Sequence, residues 1–180
     1  MNTKLIIGIL ILILLTSCGL FNLTNWIVPD DQEFIELIES LDTPFKIGDY
    51  MTQNFTYKFN PINSISPYIL WKTKYGDCND FACFGMFIAN YHNYETYQMI
   101  INYGSIFIHV IAVYKEDRFS FTDNQKYYYG FDSFEEIAIE SCKHLGKELR
   151  SFKVYDFRSR YEKLGCEGEV CPVPEEWEDD

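Results

Sequence analysis

The sequence contains few of the residues that bind metals or nucleic acids. It has three histidines, with no HxxxH pair, and its six cysteines include no CxxC pair. Zinc sites are usually built from Cys and His at such short spacings, so we expect neither a metal nor another cofactor. The chain has 15 Lys and Arg against 27 Asp and Glu, a formal net charge of -12. Because nucleic-acid binding depends on cations that neutralise phosphates, this balance argues against a nucleic-acid partner.

Long apolar runs are also scarce, and the longest lies at the N-terminus, from Leu5 to Leu15. It is shorter than the roughly 20 residues that a membrane-spanning helix needs, so a transmembrane anchor is the weaker interpretation. The run ends in "LTSC", which resembles the lipobox of bacterial lipoproteins. That resemblance implies a signal peptide at residues 1–17 and a lipid such as palmitate on Cys18. An uncleaved anchor and an ordinary secretory signal are the alternatives, and all three place the chain outside the cytoplasm.

The remaining residues suffice for one domain and are too few for two. We expect a tether at residues 18–29, a domain at residues 30–165 and an acidic tail at residues 166–180. Aromatic residues make up 18% of the chain, which predicts a substantial core. The charge offers no basic patch for an anionic membrane surface, so attachment to the bilayer of the cell membrane or outer membrane depends on the lipid.

Hydrophobic periodicity predicts an α+β arrangement. A helix capped by Asp30 or Asp31 should cover "QEFIELIESL" and end by Pro44, and the stretch after Asn54 should be extended and then a loop. A second helix should run from Cys78 to about Tyr91. Further along, we expect strands in "ETYQMIINY", "SIFIHVIAVY" and "DRFSFTDN", a helix capped by Ser133, and a last strand in "SFKVYDF".

The segment "KYGDCNDFA" carries the chemistry that this sequence offers. Gly76 permits a sharp, close backbone approach, Asp77 is a good N-cap, and Cys78 opens the helix. The positive end of a helix favours a thiolate, which is the nucleophilic form of cysteine. A nucleophilic thiol also needs a base and a group that orients that base. His109 and Asp123 lie on neighbouring predicted strands and can supply both.

The stretch "GDCNDFA" resembles the nucleophile motif of the transglutaminase-like superfamily, in which G-x-C opens a helix. The resemblance covers about residues 71 to 124. It implies a papain-like, transglutaminase-like α+β core whose N-terminal helix carries the cysteine and packs on an antiparallel sheet. It also implies that Cys78 is the nucleophile, His109 the general base and Asp123 the orienting carboxylate. The sequence departs from many relatives at Ile111 and Asn124.

Several neighbouring residues have competing interpretations. Asp132 is the alternative third member, while Asp80 is expected to stabilise the helix. His92 and His144 are interpreted as residues outside the site. The side-chain donor of an oxyanion hole is left open among three residues: Gln53, Asn54 and Trp71.

Four further cysteines could form disulfides in an exported protein, and four cysteines allow three pairings. Cys166 and Cys171 flank "EGEV" and are the expected local pair. Cys83 and Cys142 lie on helical patterns and are consistent with small buried residues, although Cys142 could pair with a tail cysteine.

These features predict a membrane-tethered, extracytoplasmic thiol enzyme that acts on amide bonds by hydrolysis or acyl transfer. Its substrates would be surface proteins or cell-wall peptides. The alternatives are a binding module that kept the fold without the chemistry, and a structural envelope lipoprotein.

Overall fold

The computed structural model describes residues 30–59, 65–104 and 108–156. The predicted signal peptide, tether and acidic tail lie outside these residues, and with them Cys18, Cys166 and Cys171. The elements in the described residues are helices α1 (Gln32–Ser40), α2 (Pro44–Asn54), α3 (Pro67–Thr73), α4 (Cys78–Tyr91) and α5 (Phe134–His144), and strands β1 (Thr56–Tyr57), β2 (Tyr75–Gly76), β3 (Glu95–Asn102), β4 (Ile108–Lys115), β5 (Phe119–Asp123), β6 (Lys126–Phe131) and β7 (Ser151–Asp156).

Five of the strands form an antiparallel sheet in the order β6-β5-β4-β3-β7. Strands β4 and β5 form a hairpin in which Ala112 lies opposite Thr122. The two short strands β1 and β2 pair separately and in parallel, with Thr56 opposite Tyr75. This small sheet ties the segment after α2 to the segment directly before the cysteine helix.

The sheet has a hydrophobic cluster on each face. Ala112 and Tyr114 of β4 belong to the cluster that includes helix α4, whereas Ile111 and Val113 belong to the cluster that includes helix α5. Successive strand residues point to opposite faces, so a strand covered on both faces needs apolar side chains throughout. This explains the unbroken apolar pattern around the histidine in "SIFIHVIAVY".

The predicted fold class is confirmed: the protein is α+β, with the cysteine helix packed on an antiparallel sheet. That helix has the predicted bounds and precedes all five strands of the main sheet, although three shorter helices come before it. Asp31 caps α1, and Ser133 caps α5 by accepting a hydrogen bond from Glu136 N, both as expected.

Two elements were missed. Pro44 follows the first helix, as predicted, but it also opens α2, with Thr43 as the N-cap. Proline is well tolerated in the first turn, where its missing N–H has no partner to lose. Strand β6 was also missed; it follows a turn in which Asn124 has a φ of 51°.

Among the residues that the structure describes, no helix has both the length and the apolar character needed to cross a membrane.

Candidate active site

Cys78 is the first residue of α4, and the residues around it fix where this helix begins. The Asp77 carboxylate accepts hydrogen bonds from Asn79 N at 3.0 Å and Asp80 N at 3.3 Å. In return, Asp77 N donates to the Asp80 carboxylate at 3.0 Å. This reciprocal capping box satisfies backbone donors that the helix itself leaves unpaired. Asp80 thus has the helix-stabilising position expected from the sequence.

Asp80 also joins the cysteine helix to the chain before it. Its second carboxylate oxygen accepts a hydrogen bond from Ile65 N at 2.8 Å. The side chain is almost fully buried, and this burial raises the pKa of Asp80 to about 6. The buried carboxylate therefore holds the entrance of α4 from two sides.

Gly76 is required by this close packing. A Cβ at this position would lie 2.8 Å from Asp80 Cβ and 2.8 Å from Leu70 Cδ1. Both distances are shorter than carbon atoms tolerate, so a side chain here would displace the capping carboxylate or the helix before it. The expectation of a close backbone approach at Gly76 is correct.

His109 and Asp123 form a buried pair. His109 Nε2 donates a hydrogen bond to Asp123 Oδ1 at 2.7 Å, and each side chain is only 6% exposed. His109 also shares a hydrogen bond with Cys78. Because Nε2 is engaged by Asp123, the ring nitrogen left for the sulfur is Nδ1. The structure thus brings together the three residues that the sequence analysis selected.

The charges at this pair favour protonated His109. Burial alone would lower the pKa of the imidazole, but the hydrogen bonds and charges of Asp123 and Cys78 outweigh it and raise the pKa to about 9. Burial likewise opposes ionisation of Asp123, and the His109 interaction outweighs it, so the pKa of this carboxyl is lowered. An imidazolium beside a sulfur can stabilise a thiolate and can protonate a leaving group.

The second oxygen of Asp123 is held by helix α5. Ser141 Oγ donates to Asp123 Oδ2 at 3.0 Å, and His144 Nδ1 donates to the same oxygen at 3.2 Å. The sequence analysis placed His144 outside the site and did not consider Ser141, so this part of the prediction is wrong. The signal was available in "SCKH", because residues three apart on a helix lie on one face.

Asp132 and His92 lie away from this site. Asp132 forms an exposed ion pair with Arg118, with 2.7 Å between the carboxylate and the guanidinium. His92 Nε2 lies 2.8 Å from the carbonyl oxygen of Ile38. Neither side chain takes part in the hydrogen bonds that connect Cys78, His109 and Asp123.

The two remaining cysteines of the described residues, Cys83 and Cys142, are buried free thiols, as the sequence suggested.

The oxyanion-hole candidates are engaged in other contacts. Gln53 Nε2 donates to Asp49 at 2.7 Å, and Asn54 Nδ2 donates to the carbonyl of Tyr50 at 2.8 Å. The Trp71 ring packs on Phe34 at 5.0 Å between centroids. None of these contacts directs a side-chain donor at Cys78.

Two tyrosines lie within the electrostatic reach of the thiol. Burial raises the pKa of Tyr57 and of Tyr103, and the charge of an ionised Cys78 adds to both effects. Tyr57 is about half exposed and pairs across the small sheet with Gly76.

Within residues 30–59, 65–104 and 108–156, the structure contains no group of three or more His, Cys, Asp or Glu side chains that could hold a metal ion. The chemistry that these side chains offer is nucleophilic attack by a thiol with acid and base assistance.

No protein-family model matches the chain, and no curated protein matches it significantly. Two solved structures are similar to it. Legionella pneumophila LapG is 16% identical with a TM-score of 0.47, over 72% of this chain and 79% of that chain. Legionella pneumophila LapG treated with EGTA is 16% identical with a TM-score of 0.46, over 69% and 78%. At these values, neither similarity supports an assignment of activity. The positions of the nucleophile at a helix start and of His and Asp on later strands agree with the transglutaminase-like resemblance.

Proposed function

We propose that this protein is a membrane-tethered, extracytoplasmic thiol enzyme of transglutaminase-like type that acts on amide bonds. The observation that carries the proposal is the hydrogen-bonded series Cys78, His109 and Asp123 at the start of a well-capped helix. Each member has the chemical environment that its role requires: a thiol beside a helix N-terminus, an imidazole with a raised pKa and an ionised carboxylate.

The reaction begins when the Cys78 sulfur attacks the carbonyl carbon of an amide and forms a C–S bond. His109, as the imidazolium, donates its proton to the amide nitrogen, and the C–N bond breaks to release an amine. Asp123 keeps the ring oriented and stabilises its positive charge throughout.

The resulting thioester is then resolved by a second nucleophile. Water, activated by the now neutral His109, gives a carboxylic acid and restores the thiol. An amine in place of water gives a new amide, which is acyl transfer. Hydrolysis is the default because water is in large excess. The substrates we propose are surface proteins or cell-wall peptides.

The tether belongs to the same proposal. The lipobox-like "LTSC" supports cleavage before Cys18 and attachment of a lipid to it, which would hold the domain at a bilayer. Mass spectrometry of the protein from a membrane fraction should find an N-terminus at acylated Cys18. An unmodified chain that begins upstream of Cys18 would contradict the lipoprotein part of the proposal and leave the chemistry untouched.

The second candidate is a binding module or structural envelope lipoprotein without chemistry. The intact series of three side chains opposes it, because a purely structural site has no need of a buried ion pair whose formation costs desolvation. A thiol-directed activity probe separates the two. It should label wild type and Cys83→Ser but neither Cys78→Ser nor His109→Ala. Equal labelling of wild type and His109→Ala would favour the non-enzymatic candidate.

A further inference from the structure

We infer that Ser141 and His144 of helix α5 are positioning residues that hold the Asp123 carboxylate in the orientation His109 requires. This inference rests on the proposed function, because it concerns the same site. It assigns a role in the chemistry to a helix that supplies none of the three reacting or orienting side chains.

The first step of the argument is that Asp123 is weakly held by its own strand. It is the last residue of β5, and the turn residue Asn124, with a φ of 51°, follows it directly. The terminal torsion of an aspartate is broad, so the backbone alone leaves the plane of this carboxylate free to rotate. Something outside β5 has to select the oxygen that faces His109.

The contacts of helix α5 supply that selection. Ser141 Oγ and His144 Nδ1 both donate to Oδ2, at 3.0 Å and 3.2 Å, while His109 Nε2 takes Oδ1 at 2.7 Å. With both oxygens engaged on opposite sides, rotation of the carboxylate would break three hydrogen bonds at once. These bonds are strong because their acceptor is ionised.

Both donors are themselves held in place. Ser141 is fully buried in the packing of α5 against the sheet. The His144 ring stacks on Tyr128 of β6 at 4.3 Å between centroids, and its Nε2 lies 3.6 Å from Glu140 Oε1. Glu140 is in turn paired with Lys143 at 2.7 Å. The imidazole therefore has a fixed plane, which makes it a rigid support for the carboxylate.

The test uses amide isosteres that imitate one ring nitrogen each. In His144→Asn the amide nitrogen lies close to where Nδ1 was, so it can still donate to Asp123; in His144→Gln it lies near the former Nε2 and cannot. The measured quantity is the rate of Cys78 alkylation by iodoacetamide at pH 7 in the full exported chain, with the modified peptide identified by mass spectrometry. Thermal unfolding of each variant checks that it is folded, and His92→Asn is the matched control.

We expect Ser141→Ala, His144→Ala and His144→Gln each to slow Cys78 alkylation roughly tenfold, the usual worth of a hydrogen bond to a charged group, whereas His144→Asn and His92→Asn stay close to wild type. A merely structural role for His144 would make Asn and Gln equally harmful. The inference is wrong if Asn and Gln behave alike, or if all the variants react at the wild-type rate while His109→Ala is slow. If His109→Ala also reacts at the wild-type rate, the proposed function itself fails.

Discussion

Replacing Asp123 by asparagine should reverse the direction in which the pKa of His109 departs from its ordinary value. In the wild-type protein this pKa is raised from 6.5 to about 9, although burial alone would lower it. One pH unit in a pKa corresponds to about 1.4 kcal/mol, so interactions with Asp123 and Cys78 exceed the burial penalty by about 3 kcal/mol. An asparagine keeps the shape of the side chain and removes its charge. Burial is then opposed by Cys78 alone, and we expect the pKa of His109 to fall to 6.5 or below.

The assay is an NMR titration of the imidazole signals, which is practical because the chain has three histidines. Asp132→Asn is the matched control, since Asp132 pairs with Arg118 at the surface and should leave the His109 titration unchanged. At pH 7.5 wild-type His109 should carry its proton, and His109 of Asp123→Asn should be largely neutral. The reasoning is refuted if wild-type His109 titrates near 6.5, or if Asp123→Asn leaves the pKa near 9.

Three further predictions concern the helix entrance and the tail. Gly76→Ala should lower the free energy of unfolding by about 1–3 kcal/mol in chemical denaturation, because the added Cβ overlaps Asp80, whereas at Gly146 nothing lies within 4 Å and Gly146→Ala should cost only the strain of its φ of +64°, about 1 kcal/mol. The folded state binds the Asp80 proton more tightly than the unfolded state does, so wild type should lose up to about 3 kcal/mol relative to Asp80→Asn as the pH rises from 4 to 6; a constant difference would contradict this. Alkylation of the exported protein without reduction should leave Cys166 and Cys171 unlabelled, and labelling of both would refute the disulfide.

The cysteine helix could be predicted from the sequence because its signals are local. The capping aspartate, the glycine before it and the apolar periodicity all lie within one stretch, and the observed element has the predicted bounds, Cys78–Tyr91. The strands of the β3–β4–β5 region were similarly readable from their apolar composition. Local chemistry decided these elements, and tertiary packing agreed with it.

The missed elements were those in which one residue type has two meanings. Proline ends some helices and opens others, and the pattern around Pro44 was interpreted only as an end. In β6 the aromatic residues of "KYYYGF" are mostly half-buried at the edge of the sheet, so they lack the alternation of a strand with one buried face.

The support of Asp123 could not be derived from the sequence for a different reason. Ser141 and His144 reach that carboxylate only because α5 packs beside the end of β5, and such packing is a property of the topology. The sequence places His144 on an amphipathic helix and gives no indication of the partner 21 residues before it. The same holds for the oxyanion-hole donor, which depends on three-dimensional placement near the substrate.

The central claim is that Cys78 forms an acyl thioester with the help of His109. The most direct test is to mix the protein with an activated ester such as p-nitrophenyl acetate, follow the burst of nitrophenolate by stopped flow, and locate the acetyl group by mass spectrometry. The account predicts a burst of about one equivalent, acetyl on Cys78, no burst for Cys78→Ser and a much slower one for His109→Ala. Acetylation spread over other residues, or an undiminished burst in His109→Ala, would contradict it.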